Sequence, residues 1–138
     1  MRWLTLIVAL MLGACGTLDN VPTQAELQAQ WDALNVFPQR YKSDILSLMR
    51  NYLNDPTNVR DAGITQPQLK KVGPGDRYVV CVRFNARNSD RKYTGAKEGA
   101  AVFAGAKLDH FVDLPKEAKP ICKDVSYEPF PELAKLTR

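Results

Sequence analysis

Few residues of this 138-residue chain are of types that carry chemistry: three cysteines, one histidine and a cation-rich loop. Cysteine supplies a nucleophilic thiolate, a metal ligand or half of a disulfide, and histidine supplies an acid, a base or a ligand. The sequence contains no HExxH, CxxC or GxSxG motif, no glycine-rich phosphate loop and no paired carboxylates. It therefore predicts no metal, no cofactor and no enzymatic activity.

The single histidine, His110, lies in the segment AKLDHFVDL, for which a strand is predicted below. Neighbouring residues of a strand point to opposite faces, so Asp109 is not expected to orient His110. Asp113 is expected to face away from it for the same reason. Without a nucleophile to activate, we predict that His110 is not catalytic.

Residues 1–20 have the layout of a secretory signal: a positive Arg2, an apolar run at residues 3–12 and then small residues. A helix needs roughly 20 apolar residues to span a bilayer, so this run is too short to cross one. We therefore interpret it as a targeting segment.

The motif Leu12-Gly13-Ala14-Cys15 resembles the lipobox of bacterial lipoproteins. In that family the cysteine thiol accepts diacylglycerol, the chain is cut before the cysteine, and the new amine is acylated. The resemblance implies a signal peptide at residues 1–14, a lipidated Cys15 with a tether over residues 15–22, and a single globular periplasmic domain over residues 23–138. Ordinary signal cleavage after Gly16 is the alternative.

The residue after the cysteine, Gly16, bears on the destination of the protein. In enteric bacteria an Asp at that position marks retention in the inner membrane, so the resemblance implies the outer membrane and a periplasmic orientation. Several acyl chains anchor firmly, because each buried CH₂ contributes about 0.8 kcal/mol. The membrane is thus the first expected partner, through acyl chains on Cys15.

Assigning Cys15 to lipid leaves Cys81 and Cys122, and an even pair in an exported protein predicts a disulfide. The bridge would close a loop of about 40 residues and stabilise the fold by roughly 4 kcal/mol in the chain-entropy treatment. A redox or metal pair is the alternative, which the lack of CxxC and of a histidine cluster disfavours.

A polar loop with flanking cations is the candidate binding surface. Its cations are Arg83, Arg87, Arg91, Lys92 and Lys97. With Tyr93 they would suit an anionic partner such as a lipopolysaccharide phosphate, a peptidoglycan carboxylate or an acidic protein face. A solvated hairpin tip, partly neutralised by Asp90 and Glu98, is the alternative. Without Arg2 the chain has 18 basic and 15 acidic residues, too small an excess for a nucleic-acid binder.

Two helices are predicted before the candidate residues in the chain, and they must help to position those residues. Thr23-Gln24-Ala25-Glu26 is a capping box, and Leu27, Trp31 and Leu34 follow on one helical face. The strongest periodicity predicts an amphipathic helix over residues 39–53. Its apolar face comprises Tyr41, Ile45, Leu48, Met49, Tyr52 and Leu53.

The securest strand has an apolar face that is predicted to point inward. That face comprises Tyr78, Val80, Val82 and Phe84. Cys81 then lies on the other face, where a bridge to Cys122 would fasten the C-terminal segment. Residues 64–72 predict a weak edge strand, and residues 101–114 predict a second long strand with a bulge at Gly105.

The C-terminal part is predicted to be irregular over residues 115–124 and to continue as a surface strap over residues 127–133. Tyr127 and Phe130 of this strap are expected to cover the outer face of the sheet, and the alternative is a partner-binding peptide. The predicted fold is α+β: two N-terminal helices packed on an antiparallel sheet of three or four strands.

Three blocks of the domain resemble small uncharacterised lipoproteins of alphaproteobacteria: YLNDP (52–56), RYVVCVRF (77–84) and PFPEL (129–133). This resemblance implies no activity. In size and pattern the chain is also similar to accessory lipoproteins of the outer membrane, such as those of barrel-assembly complexes. The leading hypothesis is a non-enzymatic structural or accessory role in the Gram-negative envelope. The alternative is a periplasmic binding or inhibitor module that uses the basic 83–97 surface.

Overall fold

The computed structural model describes residues 21–137, so the predicted signal peptide and Cys15 lie outside the described residues. The helices are α1 (Gln24–Ala33), α2 (Tyr41–Tyr52), α3 (Pro115–Ile121) and α4 (Pro131–Ala134). The strands are β1 (Arg60–Ile64), β2 (Gln68–Val72), β3 (Gly75–Asn85), β4 (Lys97–Ala104), β5 (Lys107–Val112) and β6 (Glu128–Pro129). None of the helices within this described range is long and apolar enough to cross a membrane.

The six strands form one antiparallel sheet in the order β5-β4-β3-β1-β6, with β2 also paired to β3. The eleven-residue β3 is its centre, as its alternating β-branched and aromatic residues favour. It pairs with β4 along one side and with β1 and β2 in succession along the other. The prediction of three or four strands is therefore wrong, although the class is α+β.

The predicted edge strand at residues 64–72 is divided into β1 and β2 by a break at Thr65. The Thr65 hydroxyl accepts a hydrogen bond from Cys81 N at 2.9 Å, and Thr65 N donates to Cys81 O at 3.0 Å. A side chain thus replaces one backbone acceptor of the ladder. Pro67 is tolerated beside this break because it has no N–H to leave unsatisfied.

The inner face of the sheet carries the main core. The predicted inward face of β3 packs there against α2, whose Ile45 and Met49 are fully buried. Phe103 of β4 and Phe130 complete the centre of this core. The periodicity of α2 thus identified most of its buried side, although Tyr52 of the predicted face is 40% exposed.

The outer face carries a smaller apolar cluster built on Val79 and Cys81 of β3 and on Ala100 of β4. The predicted disulfide between Cys81 and Cys122 is present on this face and is confirmed. It holds the segment after α3 against the sheet, and Ala118 of α3 is buried beneath it.

The predicted single strand over residues 101–114 is a hairpin. Gly105 and Ala106 both have positive φ, 60° and 63°, and connect β4 to β5 in a two-residue turn. Such turns need positive φ at both central positions. Alanine rarely adopts that conformation, which is why the sequence pattern did not identify the turn.

The C-terminal third is more regular than predicted. Residues 115–121 form α3 with Pro115 in its first turn, where the N–H that proline lacks would have no partner within the helix. The strap pairs with β1 through β6 and then forms α4. Tyr127 lies on the outer face as expected, but Phe130 is buried in the inner core, so its predicted position is wrong.

The first predicted helix is present as α1 with both hydrogen bonds of its capping box. It contacts the sheet at the start of β3, but none of its residues is buried, so it does not form the packed layer that was predicted. Trp31 attaches it to the start of β3, where the indole Nε1 donates to Asp76 O at 2.7 Å and Arg77 stacks over the ring at 3.4 Å. A Cβ at Gly75 would lie 2.6 Å from that indole nitrogen, so glycine makes room for the ring.

Candidate functional site

The loop between β3 and β4, residues 86–96, has a defined hairpin tip. Arg87 and Tyr93 form a bridge at its base. The Asn88 carboxamide oxygen accepts from Asp90 N at 2.9 Å and from Lys92 N at 3.0 Å. Arg91 adopts a φ of 60° within this turn. The local sequence therefore presents Arg91 and Lys92 to solvent on an ordered turn.

Arg87 is committed to an internal contact. Its Nη2 lies 2.6 Å from Asp55 Oδ2 and donates to Thr57 Oγ1 at 3.2 Å. These partners lie on the connection between α2 and β1, so the side chain ties the base of the loop to that connection. Sequence reasoning missed Asp55 and Thr57 because a charge pattern does not tell which carboxylate an arginine reaches across the fold.

The tyrosine of the predicted surface is also engaged. Arg60 stacks over the Tyr93 ring at 3.9 Å, and the Tyr93 hydroxyl donates to Asn58 O at 2.6 Å. Arg60, which was not among the predicted site residues, thereby adds a cation beside the loop.

The five predicted cations do not share one face. Arg83 is on the outer face of β3, where it stacks over the Tyr127 ring at 4.9 Å. Lys97 pairs in register with Phe84 of the inner face, so it points to the opposite side of the sheet from Arg83. Arg91 and Lys92 occupy the tip, and Arg87 lies at the base.

The structure brings Arg87 and Lys97 together at one cavity of about 190 Å³. Its apolar side is formed by Leu53 and Phe84, and Asn88 contributes to its polar side. A second cavity of about 360 Å³ lies between Asp55 and Arg91, with Arg87 common to both. Lys97 is exposed and can present its ammonium to a small anionic group whose apolar part rests on the cavity wall.

Two tyrosines join neighbouring elements around this region by hydrogen bonds. The Tyr52 hydroxyl donates to Asp113 at 2.7 Å, and burial together with this carboxylate raises the pKa of Tyr52 to about 12. The Tyr127 hydroxyl donates to Glu98, and burial and that hydrogen bond raise the pKa of Tyr127 above its usual value. Both phenols stay protonated at neutral pH and act as donors that join neighbouring elements.

The expectation that Asp109 does not orient His110 is wrong. His110 Nδ1 lies 2.7 Å from Asp109 Oδ2. The reason is a register shift in β5: Leu108 pairs with Phe103 and His110 with Val102, which leaves Asp109 as an extra residue that bends the strand. Both side chains are about half exposed. Within residues 21–137 no cluster of three or more possible metal ligands occurs.

Comparison with known proteins adds no relative: no protein-family model, no curated protein and no solved structure matches this chain. The proposals below therefore depend on the chemistry of the chain itself.

Proposed function

We propose that the chain is a membrane-anchored lipoprotein with a non-enzymatic structural or accessory role at the periplasmic face of the Gram-negative outer membrane. The observation that carries the proposal is the use of the cysteines. Cys81 and Cys122 are buried and joined to each other. The remaining cysteine, Cys15, is the one that ends the lipobox motif. Structural disulfides persist in oxidising compartments such as the periplasm, which is where a lipoprotein of this kind folds.

Three polar contacts of the described residues are consistent with the proposed structural role. The pairs Arg87–Asp55, Tyr52–Asp113 and Tyr127–Glu98 each join separate parts of the chain. Each pair therefore stabilises the position of one part of the chain relative to another.

The anchor is tested by the intact mass of protein extracted from the membranes of a Gram-negative host, with Cys15→Ser as the matched variant. We expect a chain that begins at Cys15 and carries acyl mass, because the thiol accepts the lipid before cleavage. Its two other cysteines should resist alkylation until they are reduced. Cys15→Ser should carry no acyl mass. An unacylated wild-type chain that begins at Thr17 would contradict the proposal and indicate a diffusible periplasmic protein.

A second candidate function is the binding of an anionic envelope ligand or protein by the basic 83–97 surface. It is favoured by the cavity at which Lys97 and Arg87 meet over an apolar wall. Lys97 is the group best placed to bind, because Arg87 already pairs with Asp55. Binding of this kind is expected to weaken with added salt.

Replacing Lys97 by Ala tests this candidate by co-sedimentation with peptidoglycan sacculi at low and high salt. A hydrogen bond to a charged group contributes about 1.5–3 kcal/mol, so we expect Lys97→Ala to weaken binding roughly tenfold. Lys135→Ala, an equal change of charge on an exposed lysine after α4, is the control. Equal sedimentation of the two variants would count against a peptidoglycan site at Lys97.

A further inference from the structure

Exposed apolar side chains are concentrated at the start of the described chain. Five of the eight large hydrophobic side chains that are exposed in residues 21–137 lie in its first 17 residues. They are Val21, Leu27, Leu34, Val36 and Phe37, and together we call them the N-terminal strip. Since α1 buries no residue, this concentration is not explained by packing within the domain.

Four of the five strip residues line two neighbouring concave surfaces, which are joined by a backbone hydrogen bond of Leu34. Leu27 and Leu34 line a cavity of about 510 Å³ together with Trp31. The Leu34 carbonyl accepts a hydrogen bond of 2.7 Å from Gly105 N, and Gly105 belongs to the next groove. Val36 and Phe37 line that groove, whose volume is about 810 Å³. The apolar surface thus extends from the side of α1 to the β4–β5 turn.

The charge of this segment restricts what binds there. Residues 21–39 contain no lysine or arginine, and their charged residues are Glu26 and Asp32. The cations at these two surfaces belong to neighbouring residues: Arg77 lines the cavity with Leu27 and Leu34, and Arg40 and Lys107 line the groove with Val36 and Phe37. The strip therefore suits a surface that is recognised by apolar contact and that carries anionic groups at its boundary.

The length of chain before the strip indicates which surface that is. Six residue steps separate Cys15 from Val21, a reach of about 20 Å when extended and about 13 Å as a flexible coil. The ten residues of α1 span about 15 Å. A lipid group on Cys15 therefore holds the whole of α1 within reach of the membrane surface.

We propose that the N-terminal strip lies on the phospholipid bilayer, with Leu27, Leu34 and Phe37 inserted between the headgroups and the upper acyl chains. This inference rests on the proposed function, because acylation of Cys15 brings the strip to the membrane. Side chains of this kind bury an apolar face about 5–10 Å into the interface.

The contact would also orient the domain. Trp31 packs at Gly75, where β3 begins, and the basic loop follows Asn85, where β3 ends. Eleven residues of strand span roughly 35 Å. With the strip on the bilayer, the 83–97 surface is directed away from that membrane, toward periplasmic protein or glycan and not toward headgroups of the same bilayer.

Trp31 is a built-in reporter of this contact. The chain has two tryptophans, and Trp3 leaves with the signal peptide, so the mature protein retains Trp31 alone. The experiment places the acylated mature protein in phosphatidylethanolamine and phosphatidylglycerol vesicles that contain brominated phospholipid. We expect bromine near the top of the acyl chains to quench Trp31 fluorescence by roughly half, and bromine near the chain ends to quench less, because the contact is interfacial.

Matched variants distinguish quenching that depends on the N-terminal strip from quenching that depends on exposed apolar side chains in general. Leu27→Ser combined with Leu34→Ser should abolish most of the quenching while the protein still floats with the vesicles through its acyl chains. Leu114→Ser should leave quenching unchanged, because Leu114 is 59% exposed but follows the far end of β5. Quenching should persist at high salt, because the contact is apolar, while Arg40, Arg77 and Lys107 at its margin add an attraction to phosphatidylglycerol that salt screens.

The outcomes distinguish the anchor from the contact. A protein without acyl mass that does not float overturns the proposed anchor. A protein that is acylated and floats but shows unquenched Trp31 overturns the bilayer contact alone. The bilayer contact is also overturned if Leu114→Ser lowers the quenching as much as Leu27→Ser combined with Leu34→Ser does. Trp31 that is unquenched in vesicles but shielded in native membranes overturns it in favour of a protein partner.

Discussion

Replacing Cys81 and Cys122 together by Ala is expected to lower the free energy of unfolding by about 4 kcal/mol. The two residues are 41 positions apart, and the bridge removes the loop-closure entropy of that segment from the unfolded chain. A domain of this size is stable by about 5–15 kcal/mol, so the loss is a large share of the total. Urea denaturation at neutral pH measures it.

Reduction of the wild-type protein provides a control for the double variant. Reduction of the wild-type protein should bring its denaturation midpoint close to that of the Cys81→Ala and Cys122→Ala double variant, and the double variant should not respond to reductant. A midpoint of the double variant equal to that of the oxidised wild type would show that the bridge does not stabilise the domain. Such a result would also weaken the argument that the fold is adapted to an oxidising compartment.

Replacing Phe130 by Ala is expected to cost about 3–5 kcal/mol, the range for removing a buried aromatic side chain from a core. Phe130 is 1% exposed and packs in the inner core together with Leu133 of α4. Its removal leaves a cavity at the point where the C-terminal segment attaches to the sheet. Thermal or urea unfolding of the purified variant measures the loss.

Phe37→Ala is the matched control for this substitution, because Phe37 is 41% exposed and its ring meets Tyr78 only edge-on at 5.5 Å. We expect a cost below about 1 kcal/mol at such a site. Limited proteolysis adds a second measurement, since Phe130→Ala should expose the segment after residue 125 to cleavage before the rest. Equal unfolding midpoints for the two variants would contradict the placement of Phe130 in the core.

The proposals for this protein concern the two ends of β3. At its start, Trp31 and the N-terminal strip adjoin the tether to Cys15. At its end, the loop of residues 86–96 carries the exposed tip, and Lys97 follows at the start of β4. A lipoprotein arranged in this way would hold one end against the membrane and offer the other to the periplasm.

Much of the local structure could be predicted from the sequence because neighbouring residues determine it. The capping box at Thr23 needs two side chains three positions apart, and both of its hydrogen bonds are present. The period of the apolar residues in α2 follows from helix geometry, and Ile45 and Met49 are buried accordingly. Alternation along β3 placed Cys81 on the outer face, where it meets Cys122.

The candidate site could be predicted only in part. The sequence identified the cations around the loop, since composition and position in the chain are enough for that. It did not show that Arg87 pairs with Asp55 or that Arg83 and Lys97 point to opposite faces. Those facts depend on strand register and on a connection some thirty residues earlier in the chain.

By itself the sequence determined the N-terminal cap of α1, most of the buried side of α2, the two faces of β3 and the pairing of the domain cysteines. The tertiary structure decided the rest. The positive φ of Ala106 is accepted because the turn lets β4 and β5 pair as antiparallel strands. The Thr65 hydroxyl enters the sheet only because Cys81 N needs an acceptor there. Phe130 enters the inner core because β6 pairs with β1 and turns the strap over the sheet edge. In each case, burial and hydrogen bonding with residues distant in the chain outweigh a weak or contrary local preference.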